Sequence, residues 1–515
     1  WSMSYRSELI DLRGRAERTG AAARIVAIIE AAIASGELGP DSKLPPTRQL
    51  AELAGVNHLT AARAYRRLAE RGLVVSRVGS GTFVRAAAAF AAADPGAGGQ
   101  PSSPRGEATA WQRYALPDEG EGPEGIFPEM LSQADRRDVI PLMIGHPSAE
   151  IFPLAELNRI AAEVTAEEGE RVYQYTVVEG VPELREAIAA IDAPAQASGD
   201  DPGNIVVTSG AQQALTLVVR AVLRPGDVVA CESPTYVGVL EALADSGATA
   251  VPVPVDEDGL DTDALEQLLS RREIKLLALQ SRLQNPTGAD LHPERRARLV
   301  ELAREHGFFI LDDGVYADLR FEGAELPPLR VEAPEHVIYV SSLSKTTSPG
   351  LRCGWVAASG PVLDRIARAK AKADLHGPVL PQLVAARFLA SGRLPRQLER
   401  ARAFYRAGAG ALLGELREAL AGTGAAVSEP RGGGHAWIDL GPGVRERELY
   451  SAALRRGVSF LPGSAATVGR SRNATLRVSY CYLDPDALRD GARRLGEAIR
   501  EVTSARPTRQ AMPVT

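Results

Sequence analysis

The chain has 515 residues, and at roughly 150 residues per domain that length points to about three units and excludes a single core. Lys and Arg number 59 against 65 Asp and Glu, a formal charge of −6, so an average patch of surface repels a phosphate backbone and any nucleic-acid contact must be local. A hydrophobic fraction of 45% with 24% charged residues excludes a globally disordered or fibrous chain.

Cys231, Cys353 and Cys481 lie far apart with no CxxC pair, which supports neither a disulfide framework nor a thiolate metal cluster and fits a reducing cytosol. The opening WSMSYRSELIDLRGRAERTG is charged throughout and lacks an apolar h-region. No later stretch approaches ~18 uninterrupted apolar residues, so a soluble, cytoplasmic protein with no membrane partner is expected.

In chain order, AAARIVAIIEAAIASGEL places Ile25, Ile28, Ile29 and Ile33 at helical intervals, with Gly36 as the stop. Thr47 is placed to cap a second helix over RQLAELAG, and Asn57 a third over HLTAARAYRRLAERG that ends at Gly72. Two short helices around Gly55-Val56 make a helix-turn-helix, and LVVSRVGSGTFV reads as two strands around a Gly79-Ser80-Gly81 turn, a wing. Residues 21–85 hold nine basic and five acidic side chains, a local +4. A recognition helix led by Asn57, His58 and Thr60 is expected in a major groove.

Residues 87–138 begin with an Ala run and DPGAGGQPSSPRG, then turn acidic in DEGEGPEG, and read as a linker or as a segment partly docked on the larger domain. A flexible coil of that length spans roughly 40 Å. From residue 139, strand-like runs such as NIVVTSG, DVVACES, KLLALQS, FFILDD and VIYVSSLS alternate with helical segments. That alternation predicts an α/β fold with a mainly parallel sheet. Beyond residue ~375, long helices precede HAWIDL, GVSFLPG and TLRVSYCYL, the pattern of a smaller α+β part.

Three motifs in this region carry chemistry. In VSSLSKTTSPGLRCGWV, Ser342 and Ser344 flank a lone Lys345, with Arg352 seven residues on. An apolar site can deprotonate a lysine for attack on an aldehyde, while hydroxyls and a guanidinium suit a phosphate; a solvated loop lysine is the plain alternative. SGAQQALTLV opens a helix at a glycine turn, where the N–H groups of Ala211 and Gln212 can face an anion. ILDDGVYADL ends a strand with a carboxylate able to pair with a pyridine nitrogen, or with two ordinary acidic turn residues.

The run LPPTRQLAELAGVNHLTAARAYRRLAERGLVVSRVGSGTFV closely resembles the GntR-type winged helix. That resemblance implies DNA contacts by Arg48, by residues 57–63 with Asn57, His58, Thr60 and Arg63, and by Ser80 and Thr82 in the wing. His58, Leu59 and Ala62 depart from the family pattern, so base readout is expected to differ from it. The segment ~139–503 resembles the fold-type I pyridoxal-phosphate aminotransferases of class I and II. By that resemblance Lys345 is the Schiff-base lysine, Asp313 rather than Asp312 pairs with the ring nitrogen, and Asn285 and Tyr316 bond the ring's 3-oxygen. Tyr236 stacks on the ring, while Ser342, Ser344, Arg352, Ala211 and Gln212 hold phosphate. Tyr175 reaches the partner subunit's phosphate, Arg477 holds a substrate carboxylate, and Gly145 belongs to the closing loop. His146 and Ser148 are unusual there, Cys353 reads as packing, and His435 and the other histidines read as structural or surface residues without metal spacing.

The full order resembles the MocR branch of GntR regulators: winged helix 17–86, linker 87–138, and a cofactor domain over 139–507 with a large part near 165–375 and a small part near 376–503. It implies a cytoplasmic bacterial regulator and a head-to-tail homodimer on repeated DNA half-sites, with pyridoxal 5'-phosphate at Lys345 and that cofactor or an amino compound as effector. The alternative is a working aminotransferase, or a lyase or substitution enzyme, with a vestigial winged helix.

Overall fold

The computed structural model describes residues 21–34, 37–38, 42–70, 73–77, 81–84, 138–192, 201–323, 326–469 and 473–504, and the chain divides into two compact units, Trp1–Gly122 and Pro123–Thr515. The linker expected over 87–138 lies outside the described residues except for Asp138, as do Gly36, Gly72, Gly79 and Ser80.

In the first unit α1 (Ala21–Ala34) buries Ile25, Ile29 and Ile33 on one stripe, as their spacing predicts, against Leu50, Tyr65 and Leu68. Helix α2 (Thr47–Ala54) ends at Gly55, whose φ of 64° is the left-handed turn a glycine adopts without steric cost. Thr47 does not cap α2 but is its first residue. Pro46 sets extended backbone at the cap position, and no side chain caps the helix. Helix α3 (His58–Glu70) is capped as expected, the Asn57 Oδ1 accepting from Thr60 N at 2.8 Å. Strands β1 (Val74–Arg77) and β2 (Gly81–Val84) pair antiparallel, Val74 opposite Val84 and Arg77 opposite Gly81, which is a wing.

The second unit opens with β3 (Ile140–Pro141), α4 (Leu154–Glu168) and α5 (Pro182–Asp192). A central sheet follows from β4 (Ile205–Thr208), α6 (Ala211–Val222), β5 (Val228–Ser233), α7 (Val237–Ala244), β6 (Thr249–Asp256) and β7 (Gly259–Leu260). It continues with α8 (Thr262–Leu269), β8 (Leu276–Leu279), α9 (Pro293–His306), β9 (Phe309–Asp313), β10 (Val337–Ser342) and β11 (Gly354–Ala357). The eight strands lie in the order β4-β11-β10-β9-β8-β5-β6-β7. The run from β10 to β6 is parallel, β11 is antiparallel to both its neighbours, and β7 is antiparallel to β6. The aliphatic runs IVVT and LLAL are buried at every position, as strands covered by helices on both faces require.

Helices α10 (Pro361–Ala373), α11 (Val379–Ala390) and α12 (Leu394–Leu420) lead to β12 (Ala426–Val427), β13 (His435–Asp439), α13 (Glu446–Arg455) and β14 (Val458–Ser459). Then come β15 (Leu461–Pro462), β16 (Thr475–Ser479) and α14 (Pro485–Ser504). Strands β12-β13-β16-β15 form an antiparallel sheet packed on helices, the α+β part. Its core also takes in Leu142, Met143 and Ile151 from the start of the unit, and β3 pairs with β14. Among the described residues no helix is long and apolar enough to cross a membrane.

Candidate functional site

The parallel strands end together, and a ligand in an open α/β sheet sits outside such carboxyl ends. Asp313 closes β9, Ser342 closes β10, Gln280 and Asn285 follow β8, and Tyr236 follows β5. With the α6 N-terminus from the β4 side, these residues line a cavity of ≈ 670 Å³ whose far wall is Gly145, His435 and Arg477.

At one end the cavity is built for a phosphate. Arg352 sits in the left-handed region at φ 50° and donates to the carbonyl of Ser209. Gly210 has φ 89°, and a Cβ there would fall 2.7 Å from the Arg352 guanidinium, so a bare backbone is what lets the arginine lie over the helix end. Ser342 Oγ accepts from Ser344 N at 3.0 Å and donates to Ser344 Oγ at 2.8 Å or Cys353 O at 2.9 Å. The first N–H groups of α6, at Ala211 and Gln212, complete a concentration of donors and positive potential. Cys353 itself is buried packing, its thiol pushed up to about 12 by desolvation.

At the centre Lys345 is half-buried on the cavity wall, and its Nζ donates to the Gly145 carbonyl at 2.8 Å. Burial lowers its pKa, and the charge of Arg477 adds to that, so more of the nucleophilic free amine is present near neutral pH. Asp313 accepts from Gln280 Nε2 at 3.1 Å and from Val315 N at 3.2 Å, and burial raises its pKa to about 7. Asp312 points away and is satisfied by Ser281, from N at 3.0 Å and from Oγ at 2.8 Å. Tyr236 meets Gln212 Oε1 at 3.3 Å, and burial raises its pKa to about 12.

Arg477, on β16, is buried and donates to Met143 O at 2.8 Å and to Asn285 Oδ1 at 3.3 Å, while its Nε has no hydrogen-bond partner. An incompletely satisfied buried guanidinium at a cavity wall suits an incoming carboxylate. Gly145 makes the close approach possible, since a Cβ there would lie 2.9 Å from the His435 ring and 3.3 Å from Arg477. The donor set therefore fits pyridoxal phosphate: an anion cradle, an amine of lowered pKa, an acid for the ring nitrogen and hydroxyl and amide groups for the ring edge.

One histidine expected to be structural or on the surface belongs here instead. His435 opens β13, lines the cavity, and sets its Nε2 2.9 Å from the Tyr316 hydroxyl. The glycines of RGGGH are the signal that could have found it: a Cβ on Gly432 would strike the Leu319 carbonyl at 2.4 Å, and one on Gly434 would lie 3.4 Å from the Tyr316 ring. Gln280, which bridges Asp313 and Asn285 N, had no signal beyond its place at a strand end. Tyr175 is the one cofactor candidate not brought to the cavity; it is 77% exposed, its ring against His376. Among the described residues no group of three or more His, Cys, Asp or Glu side chains is placed to hold a metal ion.

In the first unit Arg48, Asn57, His58 and Arg63 are exposed on α2, α3 and their turn, while Thr60 and Thr82 are half-buried. Leu59 is 75% exposed at the head of α3, and Ser80 lies outside the described residues.

Residues 137–495 match the model of the aminotransferase class I and II family, and residues 21–84 that of the bacterial regulatory proteins of the gntR family. An uncharacterized HTH-type transcriptional regulator YdcR of Escherichia coli is 31% identical over 91% of this chain and 97% of that protein. The probable rhizopine catabolism regulatory protein MocR of Rhizobium meliloti is 27% identical over 93% of each. The crystal structure of LysN, an alpha-aminoadipate aminotransferase from Thermus thermophilus complexed with N-(5'-phosphopyridoxyl)-L-leucine, superposes with a TM-score of 0.70 at 33% identity, over 76% of this chain and 99% of that one. A winged helix and a pyridoxal-phosphate cavity thus lie in one chain that matches such regulators nearly end to end, and the chain belongs to the MocR-type GntR family, with an aminotransferase class I and II domain that takes pyridoxal phosphate.

Proposed function

We propose that this chain is a cytoplasmic transcription regulator, active as a head-to-tail homodimer, in which residues 17–86 bind DNA, residues 87–138 tether, and residues 139–507 hold pyridoxal phosphate and sense it or an amino compound. The observation that carries the reading is an amine-ready Lys345 in a cavity lined by ten of the eleven cofactor candidates, on the same chain as an exposed basic winged helix. Bound cofactor supplies an electrophilic aldehyde and an electron-withdrawing ring. The protein's part is to offer a free amine at Lys345, anchor phosphate with Arg352, Ser342, Ser344 and the α6 N-terminus, and face the ring nitrogen with Asp313. Arg477 then selects ligands that carry a carboxylate, and Tyr175, exposed in one chain, serves the partner's site. Arg48, Arg63 and Thr82, with Ser80 of the wing, anchor the reader on DNA, and Asn57, His58 and Thr60 face the bases.

The test is a gel shift of the full-length chain on its own upstream DNA, with and without pyridoxal phosphate and amino acids. A retarded band whose midpoint moves with cofactor or amino compound is the expected result. The second reading, a working transaminase, is favoured by the placing of Lys345, Asp313 and Arg477 around one cavity. Steady conversion of an amino acid and 2-oxo acid pair, with no shift at low salt on any neighbouring promoter, would replace the regulator by that enzyme.

A further inference from the structure

His435 is 3% exposed, opens β13 beneath the glycine run, and uses one ring nitrogen while the other has none to meet. Its Nε2 lies 2.9 Å from Tyr316 Oη, with the two rings edge to face at 5.4 Å between centroids, and its Nδ1 is buried without a hydrogen-bond partner. Tyr316 Oη has a second neighbour, the Gly145 carbonyl, at 3.4 Å. Two arrangements of the hydrogens fit a neutral imidazole. If Tyr316 donates to Nε2, the ring proton sits on Nδ1, and an N–H is buried with nothing to receive it. If Nε2–H donates to Tyr316, only a bare Nδ1 lone pair is orphaned, and the phenolic hydrogen is free to point at Gly145 or into the cavity. Unmet buried N–H donors are the rarer and costlier defect, so the second arrangement wins.

We propose that His435 is the positioning residue for Tyr316, donating Nε2–H to the phenolic oxygen so that the tyrosine's own hydrogen is presented to the cofactor's ring oxygen. The neutral state that this requires is supported by burial and by the charges of Arg477 and Lys345, which hold the imidazole well below its ordinary range. The inference rests on the reading of Lys345 and Tyr316 as cofactor residues. It deepens that reading by naming a residue outside the cofactor set on which the ring-oxygen contact depends.

A hydrogen bond donated to an anionic oxygen favours the deprotonated form of what is bound there, so losing it moves the pH midpoint of the visible absorption band upward. The other groups facing Tyr316 are Lys345 after β10, Asp313 at the end of β9, Tyr236 before α7, Tyr405 on α12, and Arg477 and Cys481 at β16 and just beyond it. They are the same in every variant below, so a change in midpoint reports the Tyr316 contact.

The experiment is a spectrophotometric pH titration of the full-length chain loaded with pyridoxal phosphate, for wild type, His435→Leu, His435→Gln, Tyr316→Phe and the His435→Leu/Tyr316→Phe pair. His435→Leu is expected to raise the midpoint by about one pH unit, toward Tyr316→Phe. His435→Gln, which keeps an N–H donor of similar reach, is expected to stay near wild type, and the double variant to go no further than Tyr316→Phe alone. His435→Asn, too short to reach the hydroxyl, replaces the leucine variant if that one does not fold. An unmoved midpoint in the leucine or asparagine variant, or full additivity in the double variant, overturns the assignment while the cofactor reading stands. A wild-type chain that acquires no band, or a band that survives Lys345→Ala, overturns the cofactor reading and the His435 assignment with it.

Discussion

Asp312 and Asp313 are adjacent in sequence, and the alternation of a strand sends them to opposite faces of β9. Asp312 is consumed by Ser281, whereas Asp313 faces the cavity with its pKa raised to about 7. A carboxyl that holds its proton more tightly folded than unfolded loses stability for the native state as pH rises from its ordinary value near 3.8 to about 7. Urea melts of the cofactor-free chain are therefore expected to show wild type falling by a few kcal/mol across that window relative to Asp313→Asn, which has no charge to bury. Equal pH slopes for the two proteins would refute this. Arg477→Lys removes the planar fork and is expected to weaken carboxylate-bearing effectors about 100-fold, with the visible band unchanged, measured by effector titration. Lys345, Asp313 and Arg352 were legible in the sequence because each sits in a motif of several special residues. The place of His435 was not, because it is set by Tyr316, 119 residues away, and by a wall that exists only once β13 lies against it.

Helix ends do much of the positioning. The start of α6 needs the φ of 89° at Gly210 and the empty space beside it, so Gly210→Ala is expected to raise the dissociation constant for pyridoxal phosphate at least about tenfold, through a strained backbone and a displaced Arg352. Titration of the visible band measures this. At the head of α3, Asn57 spends its amide oxygen on Thr60 N, which leaves its NH2 group for the DNA contact proposed above. Asn57→Ala is expected to destabilise the winged helix by about 1 kcal/mol, read from its melting transition. The α/β alternation and the helix-turn-helix were plain in the apolar spacing, because local periodicity sets both. Thr47 misled as a cap because Pro45-Pro46 fix the entry to α2, and the antiparallel insertion of β11 between β4 and β10 leaves no trace in a buried strand's composition.

At the scale of the molecule, the charge of −6 averages a basic reader with an acidic remainder. Arg48→Ala is expected to weaken operator binding and flatten its salt dependence by about one unit of slope while the visible band stays as it is, because the reader and the cavity belong to separate compact units. If the two communicate, the factor by which an amino compound changes DNA affinity must equal the factor by which DNA changes affinity for that compound, a reciprocity that fluorescence titrations in both directions can check.

The pairing of β3 with β14 ties the start of the second unit to its C-terminal part. Ile140 N donates to Gly457 O at 2.8 Å, Ser479 N to Leu142 O at 2.8 Å, and Ser148 N to Cys481 O at 2.9 Å, so residues 140–148 are stitched to the C-terminal α+β part. Gly145, whose carbonyl receives Lys345, lies within that stitched stretch, and the chain arriving from the winged helix enters immediately before it. Residues 140–148 are thus fastened by backbone bonds to the part that bears Arg477 and His435, and by the Gly145 carbonyl to the lysine. A ligand that moves that part therefore also moves residues 138–148, to which the chain leading from the winged helix is joined.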